Sequence, residues 1–199
     1  MRAKGTILER QQFIGMTSTP SFVHLQVHSE FSIEKSLLSV NEIVDLAKKS
    51  AMSSIALTDT NNVFAMVKFY QAAVKNGVKP IIGAELDIEG TAKVDNTATA
   101  QLKQKRDSRD TTTVNYRIIL LCQNREGFLN LSELMTRAFM SGHRHGRPYL
   151  HEDWLTPEKT KGLIAIEPGY HGFSATHKIR DISQIKHWQN CFTDRYYLG

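Results

Sequence analysis

Two histidines four residues apart, His24 and His28 in FVHLQVHS, are the first side chains whose types and spacing could do chemistry. On an extended segment, residues of even spacing share one face, so His24, Gln26 and His28 are expected to point the same way. Imidazoles presented in this way could hold zinc, manganese or iron. Asp59 in the TDTNN turn and Glu85 in PIIGAELDI place carboxylates at the ends of two further apolar runs. Hard oxygens beside imidazoles suit a divalent centre for phosphoester hydrolysis. Each residue also has a plainer reading: a hydrogen-bonded core histidine, a helix N-cap at Asp59, a solvated strand-end charge at Glu85. The segment GHRHGRP, with His143, Arg144, His145 and Arg147, has the spacing of a metal or phosphate patch. Its flanking Gly142 and Gly146 favour a mobile, solvated loop between helix and strand. His171 and His177 belong to no motif.

The elements that must position these residues follow from periodicity. FVHLQVHS reads as a short buried strand from Phe22. Ser39 with Glu42 makes a capping box that opens a helix with Val40, Ile43, Val44, Leu46 and Ala47 on its apolar face. Ser54 to Leu57 is a second strand, and VFAMVKFYQAAVKN a second helix, stopped by Gly77 at the place of a left-handed cap. Pro80 to Ile88 is a third strand. Strands separated by helices of this length imply parallel neighbours, hence an α/β sheet or barrel whose functional side chains gather at strand ends. From about 90 to 113 the chain turns polar, which reads as a mobile surface insertion. VNYRIILLCQN then reads as a buried strand, and EGFLNLSELMTRAFM as an amphipathic helix with Phe128, Leu131, Leu134, Met135 and Ala138 on one face. GLIAIEPG, DISQIKHWQNCF and RYYLG continue as strand, helix and strand. Residues 1 to 21 show neither period; they are expected to be disordered or a mis-assigned extension, with the true start at Met1 or Met16.

Composition narrows the class. With 199 residues, 41% of them hydrophobic and 23% charged, the chain can bury an ordinary core, which disfavours disorder or fibre. Cys122 and Cys191 lie far apart without CxxC spacing, no run reaches the roughly 18 to 20 apolar residues of a membrane span, and no secretory signal opens the chain. A cytoplasmic protein away from membranes is expected. The net charge of +5 is small and spread out, so a solvated basic face is preferred over direct nucleic-acid binding.

Five blocks now combine: FVHLQVHSEFS, SIALTDTNNVFAMVKFYQAAVKNGVKPIIGAELDI, RIILLCQNREGFLNLSELMTRAF, RPYLHEDWL and GLIAIEPG. In order and spacing they resemble the PHP (polymerase and histidinol phosphatase) domain that opens the alpha subunits of bacterial DNA polymerase III, the replicative C-family polymerases. The resemblance runs in register from Phe22 to about Gly169 and is looser over the last thirty residues. It implies a PHP-type distorted (β/α) barrel over residues 22 to 199, incomplete at its C-terminus. Intact members of the family carry H-x-H on the first strand, an aspartate in the next turn, T-D-H after the second strand, a glutamate ending the third and a histidine on the next. Carried onto this chain, that pattern keeps His28, Asp59 and Glu85, while Gln26, Lys35, Thr60 and Arg117 stand where ligands are expected. Glu34 beside Lys35 could partly substitute, and a later ligand is replaced by Glu167 or Pro168.

The kind of change matters most. A fixed charge 4 Å from a divalent ion opposes it by roughly 8 kcal/mol at an effective dielectric of 20. A degenerate site without a tightly held metal is therefore expected, with Arg117 pairing with Glu85 or Asp59 in an ion-pair network. The resemblance further implies a catalytically inactive structural platform and docking site for the proofreading exonuclease (epsilon) subunit within the polymerase III holoenzyme. DNA and magnesium would be handled by polymerase regions outside these residues. Two alternatives stand beside this one: a metal-dependent phosphoesterase or 3'-5' exonuclease using His28, Asp59 and Glu85, and a truncated stand-alone binding relic.

Overall fold

The computed structural model describes residues 22–91, 113–144, 146–172 and 182–199. Residues 1–21, Met16 among them, most of the polar segment at 92–112, His145 and His177 lie outside the described residues.

In chain order the elements are α1 (Val40–Lys49), β1 (Ser54–Leu57), α2 (Met66–Lys75), β2 (Lys79–Thr91) and β3 (Thr113–Cys122). Then come α3 (Arg125–Ser141), β4 (His143–Arg144), β5 (Arg147–Pro148), β6 (Leu150–His151), β7 (Leu163–Glu167), α4 (Ile182–Phe192) and β8 (Tyr196–Leu198). The fold is α/β, and its main sheet, a curled half-barrel, runs β1-β2-β3-β7-β8, with β6 also paired to β2. β1 and β2 are parallel, as the helix between them requires. β3 breaks the expected alternation: it pairs antiparallel to β2 from Thr91↔Thr113 to Gly83↔Leu121 and antiparallel to β7. An antiparallel neighbour, unlike a parallel one, needs no helical crossover.

Local chemistry explains the helices. The Ser39 capping box forms in both directions, and Val40, Ile43, Val44 and Ala47 are buried against β1 and α2. Leu46, expected on the same face, is half exposed. Gly77, at φ +73°, follows the last turn of α2 in the left-handed region. α3 is capped by Asn124, whose side chain accepts from Gly127 N–H at 2.9 Å. α3 and α4 cover one face of the sheet, where Leu86, Ile88, Ile118, Leu120, Leu131, Leu134, Trp188 and Phe192 form the larger core.

The first segment departs from expectation. Residues 22–28 form no regular strand; the backbone bonds Ala56 N–H to His24 O at 2.9 Å and Thr58 N–H to Val27 O at 2.8 Å tie them to β1 and the residue after it. The Thr58 hydroxyl competes for the ladder, accepting from Val27 N–H at 3.0 Å. His24, Leu25 and Gln26 are correspondingly exposed rather than buried.

Candidate functional site

β2 sets the site. Ala84, Leu86 and Ile88 enter the larger core, so the period of two sends Glu85 and Asp87 to the opposite face. The register places Arg117 of β3 directly across from Asp87 and diagonal to Glu85. Both contacts form: Arg117 Nε donates to Asp87 Oδ1 at 2.9 Å, and Nη1 lies 3.4 Å from Glu85 Oε1. Asn61, held at φ +53° after β1, donates to Asp87 Oδ2 at 2.9 Å and accepts from Asp87 N–H at 3.0 Å.

The N-terminal segment and the loop behind it supply the remaining donors. His28 Nε2 bonds Glu85 Oε2, Gln26 Nε2 reaches that oxygen at 3.4 Å, and Lys35 Nζ donates to Oε1 at 2.9 Å. Even spacing thus does turn Gln26 and His28 to one place, while His24 only packs edge-on against Phe22. The Glu85 side chain is 1% exposed and ringed by an imidazole, an amide, an ammonium and a guanidinium. Burial pushes its carboxyl upward, but hydrogen bonds from His28 and Lys35 and the positive charge beside it outweigh burial and hold it at about 2. Arg117 is held above its usual value: burial lowers it, and the two carboxylates more than compensate.

Asp59 has a separate role. Buried, it accepts from Ser29 N–H and Ser29 Oγ at 2.7 Å each and from Ser32 Oγ at 2.6 Å. It caps no helix, and Arg117 does not reach it; its carboxylate fastens the 29–32 turn over the end of β1. Thr60 bridges to Glu85 through the backbone, and its buried hydroxyl lacks a hydrogen-bond partner.

Several other expectations need correction. Glu34 is 79% exposed and pairs with Arg147, outside the cluster, so it does not stand in for the turn aspartate. GHRHGRP is not a free loop: His143↔Pro148 and Arg144↔Arg147 form a two-stranded ladder, anchored where Arg144 and His151 meet buried Glu89. Glu167 is buried at the end of β7, where it accepts from the Tyr196 hydroxyl at 2.6 Å. His171 is exposed in a short 3-10 turn.

Asp87, Asn61, Ser29 and Ser32 were missed. The alternation in ELDIE could have flagged Asp87; the serines and Asn61 become visible only when the turns are placed.

A divalent ion does not fit this donor set. The Asp59 and Glu85 carboxylates already have their oxygens bonded, and an ammonium and a guanidinium stand on Glu85. Among the described residues no three His, Cys, Asp or Glu side chains converge to hold a metal. Nor do Cys191, His187 and Glu152 make a nucleophile: one nitrogen, His187 Nε2, faces both Cys191 Sγ at 3.6 Å and Glu152 Oε1 at 3.8 Å. Cys191 is buried, and burial pushes its thiol up.

Comparison with known proteins gives this arrangement its lineage. The model of the PHP domain matches residues 24–199. Similar curated proteins include the DNA polymerase III subunit alpha of Pseudomonas aeruginosa, 31% identical over 186 residues, covering 90% of this chain and 14% of that one. The same subunit of Vibrio cholerae is 32% identical over 186 residues (91% and 14%), and that of Borreliella burgdorferi 37% over 149 residues (75% and 12%). The chain therefore spans about 14% of the length of the first two. Among solved structures, an amidohydrolase from Chromobacterium violaceum aligns with a TM-score of 0.40 at 19% identity, over 58% of this chain and 32% of that one. With a match covering nearly its whole length, the chain belongs to the PHP domain family.

Proposed function

We propose that this chain is a non-catalytic PHP domain at the head of a DNA polymerase III alpha subunit, serving as a structural platform and a docking surface for the proofreading exonuclease subunit. The observation that carries the non-catalytic part is Lys35 Nζ on Glu85 Oε1 at 2.9 Å, with Arg117 on the same carboxylate. In the family pattern these two positions belong to an aspartate and a histidine that bind metal. Here they turn a ligand into the centre of an ion-pair brace joining the 26–35 segment, β2 and β3. The docking role rests on the similarity to alpha subunits, and the cytoplasm is the compartment that role requires.

Two assays test this reading. Phosphodiesterase activity should stay at background with or without manganese; activity that rises with manganese and disappears in Glu85→Ala would replace it with the phosphoesterase reading. The purified chain should also co-elute in gel filtration with the proofreading exonuclease subunit from its own cell. Separate elution of the two would remove the docking role.

A further inference from the structure

α2 is apolar on both of its sides. Phe69 and Ala73 enter the smaller core, while Phe64, in the turn before the helix, and Val67, Tyr70 and Val74 are between 55% and 73% exposed. Spacings of three, three and four keep these four on one stripe that faces away from the buried side. α1, packed beside it, instead turns Asn41, Glu42, Asp45, Lys48 and Lys49 to solvent. A helix apolar all round is ordinarily a covered one. The charges at the edge of the stripe are few. Lys68 and Lys75, seven residues apart, lie on one flank. Lys68 Nζ donates to Glu30 Oε1 at 3.1 Å, with both side chains partly exposed. Among the described residues Glu30 Oε2 accepts no hydrogen bond and Lys75 meets no carboxylate.

We propose that this stripe is the contact between two copies of the chain, their α2 helices packed antiparallel about a two-fold axis between Tyr70 and Gln71. Such an axis sets Val67 of each copy against Val74 of the other, so the apolar stripe covers itself. It also turns each flank towards its own counterpart. The second copy's Lys75 then arrives level with Met66, two residues or about 3 Å along the axis from Lys68. There Glu30 offers its unused oxygen, and one carboxylate bridges two lysines at each end of the contact. A parallel arrangement would set Lys75 against Lys75 and leave Glu30 idle. The partner that fits this stripe, apolar along its centre with one basic and one acidic spot on its flank, is the stripe itself reversed. Two aromatic rings and two valines at these exposures offer on the order of 500 Å² per copy, about 1,000 Å² in all, the lower limit for specific association. The dimer should therefore be weak, micromolar or above. The stripe shares no residue with the Glu85 cluster and stands whether or not the brace reading does.

Sedimentation equilibrium of the full chain, from micromolar to submillimolar concentration, tests it. The mean mass should rise from 22.5 kDa towards twice that value and stop there. Val67→Asp should weaken association at least about tenfold by driving a carboxylate into the apolar contact. An aspartate in the first turn of α2 suits the helix dipole, so the fold should survive, as circular dichroism checks. Glu30→Lys should weaken association severalfold by setting three like charges together at each end. Adding Lys75→Glu to Glu30→Lys should restore it, a recovery that damaged folding cannot imitate. The proposal is overturned if the mass stays at 22.5 kDa throughout, as it would if anything but a second copy covers the stripe. It is equally overturned if the mass grows past a dimer, if a folded Val67→Asp associates like wild type, or if the second charge reversal brings no recovery.

Discussion

Glu85 gathers an imidazole, an ammonium and a guanidinium on one buried carboxylate, and that makes its environment measurable. Removing Arg117 leaves Asp87 without its cation and Glu85 with only Lys35 and the His28 imidazole. Arg117→Ala should therefore cost about 2 kcal/mol in urea denaturation, less than a fully buried pair because Lys35 and His28 still face Glu85. An unchanged unfolding free energy would remove the brace. The depressed carboxyl value also fixes a pH window. A group ordinarily at 4.5 but held at about 2 contributes stability that is present above about pH 4.5 and is lost as pH falls towards 2. That contribution is roughly 3 kcal/mol, so Glu85→Gln should flatten the stability curve across this interval, as followed by acid titration of tryptophan fluorescence. At this scale residue type and a place at the strand ends single out His28, Asp59 and Glu85, whereas Lys35 and Arg117 stand out only through the family resemblance. Asp87 as the main partner of Arg117 was not legible, since it depends on the antiparallel register.

The helices were legible because periodicity and caps are local. The Ser39–Glu42 box appears as read, and so does the apolar face of α3 except at Phe128, which is only partly buried; Ser39→Ala should cost about 1 kcal/mol by thermal denaturation. Strand pairing is not local. The apolar run at 22–28 reads as a strand, but whether it completes a ladder depends on the Thr58 hydroxyl opposite it. Likewise the antiparallel direction of β3 is a property of the pairing, and the period of an apolar run is the same in either direction. A tight crossing between elements makes a further test. A Cβ on Gly127 in the first turn of α3 would sit 1.9 Å from Gly162 O, in the turn before β7 where Gly162 adopts φ +70°. Gly127→Ala should destabilise by about 3 kcal/mol or more in the same assay, because backbone on both sides must move.

At the scale of the whole molecule, the sheet among the described residues runs from β1 and its loosely attached 22–28 segment on one side to β8 on the other. No helix among the described residues is long and apolar enough to cross a membrane. If the chain works as the head of a polymerase subunit, an antibody against residues 22–88 should detect a band far larger than 22.5 kDa in lysate of the source cells. A band at that mass would favour a separate binding relic. The proposed function turns on one exchange, positive side chains in place of metal ions around Glu85. Thermal unfolding with and without millimolar manganese reads that exchange, because a ion held only by the folded state raises the midpoint in proportion to its binding. The midpoint should be the same with and without manganese in the wild-type chain. A manganese-dependent rise that vanishes in Glu85→Ala would show that the site still holds metal and that the brace is not its replacement.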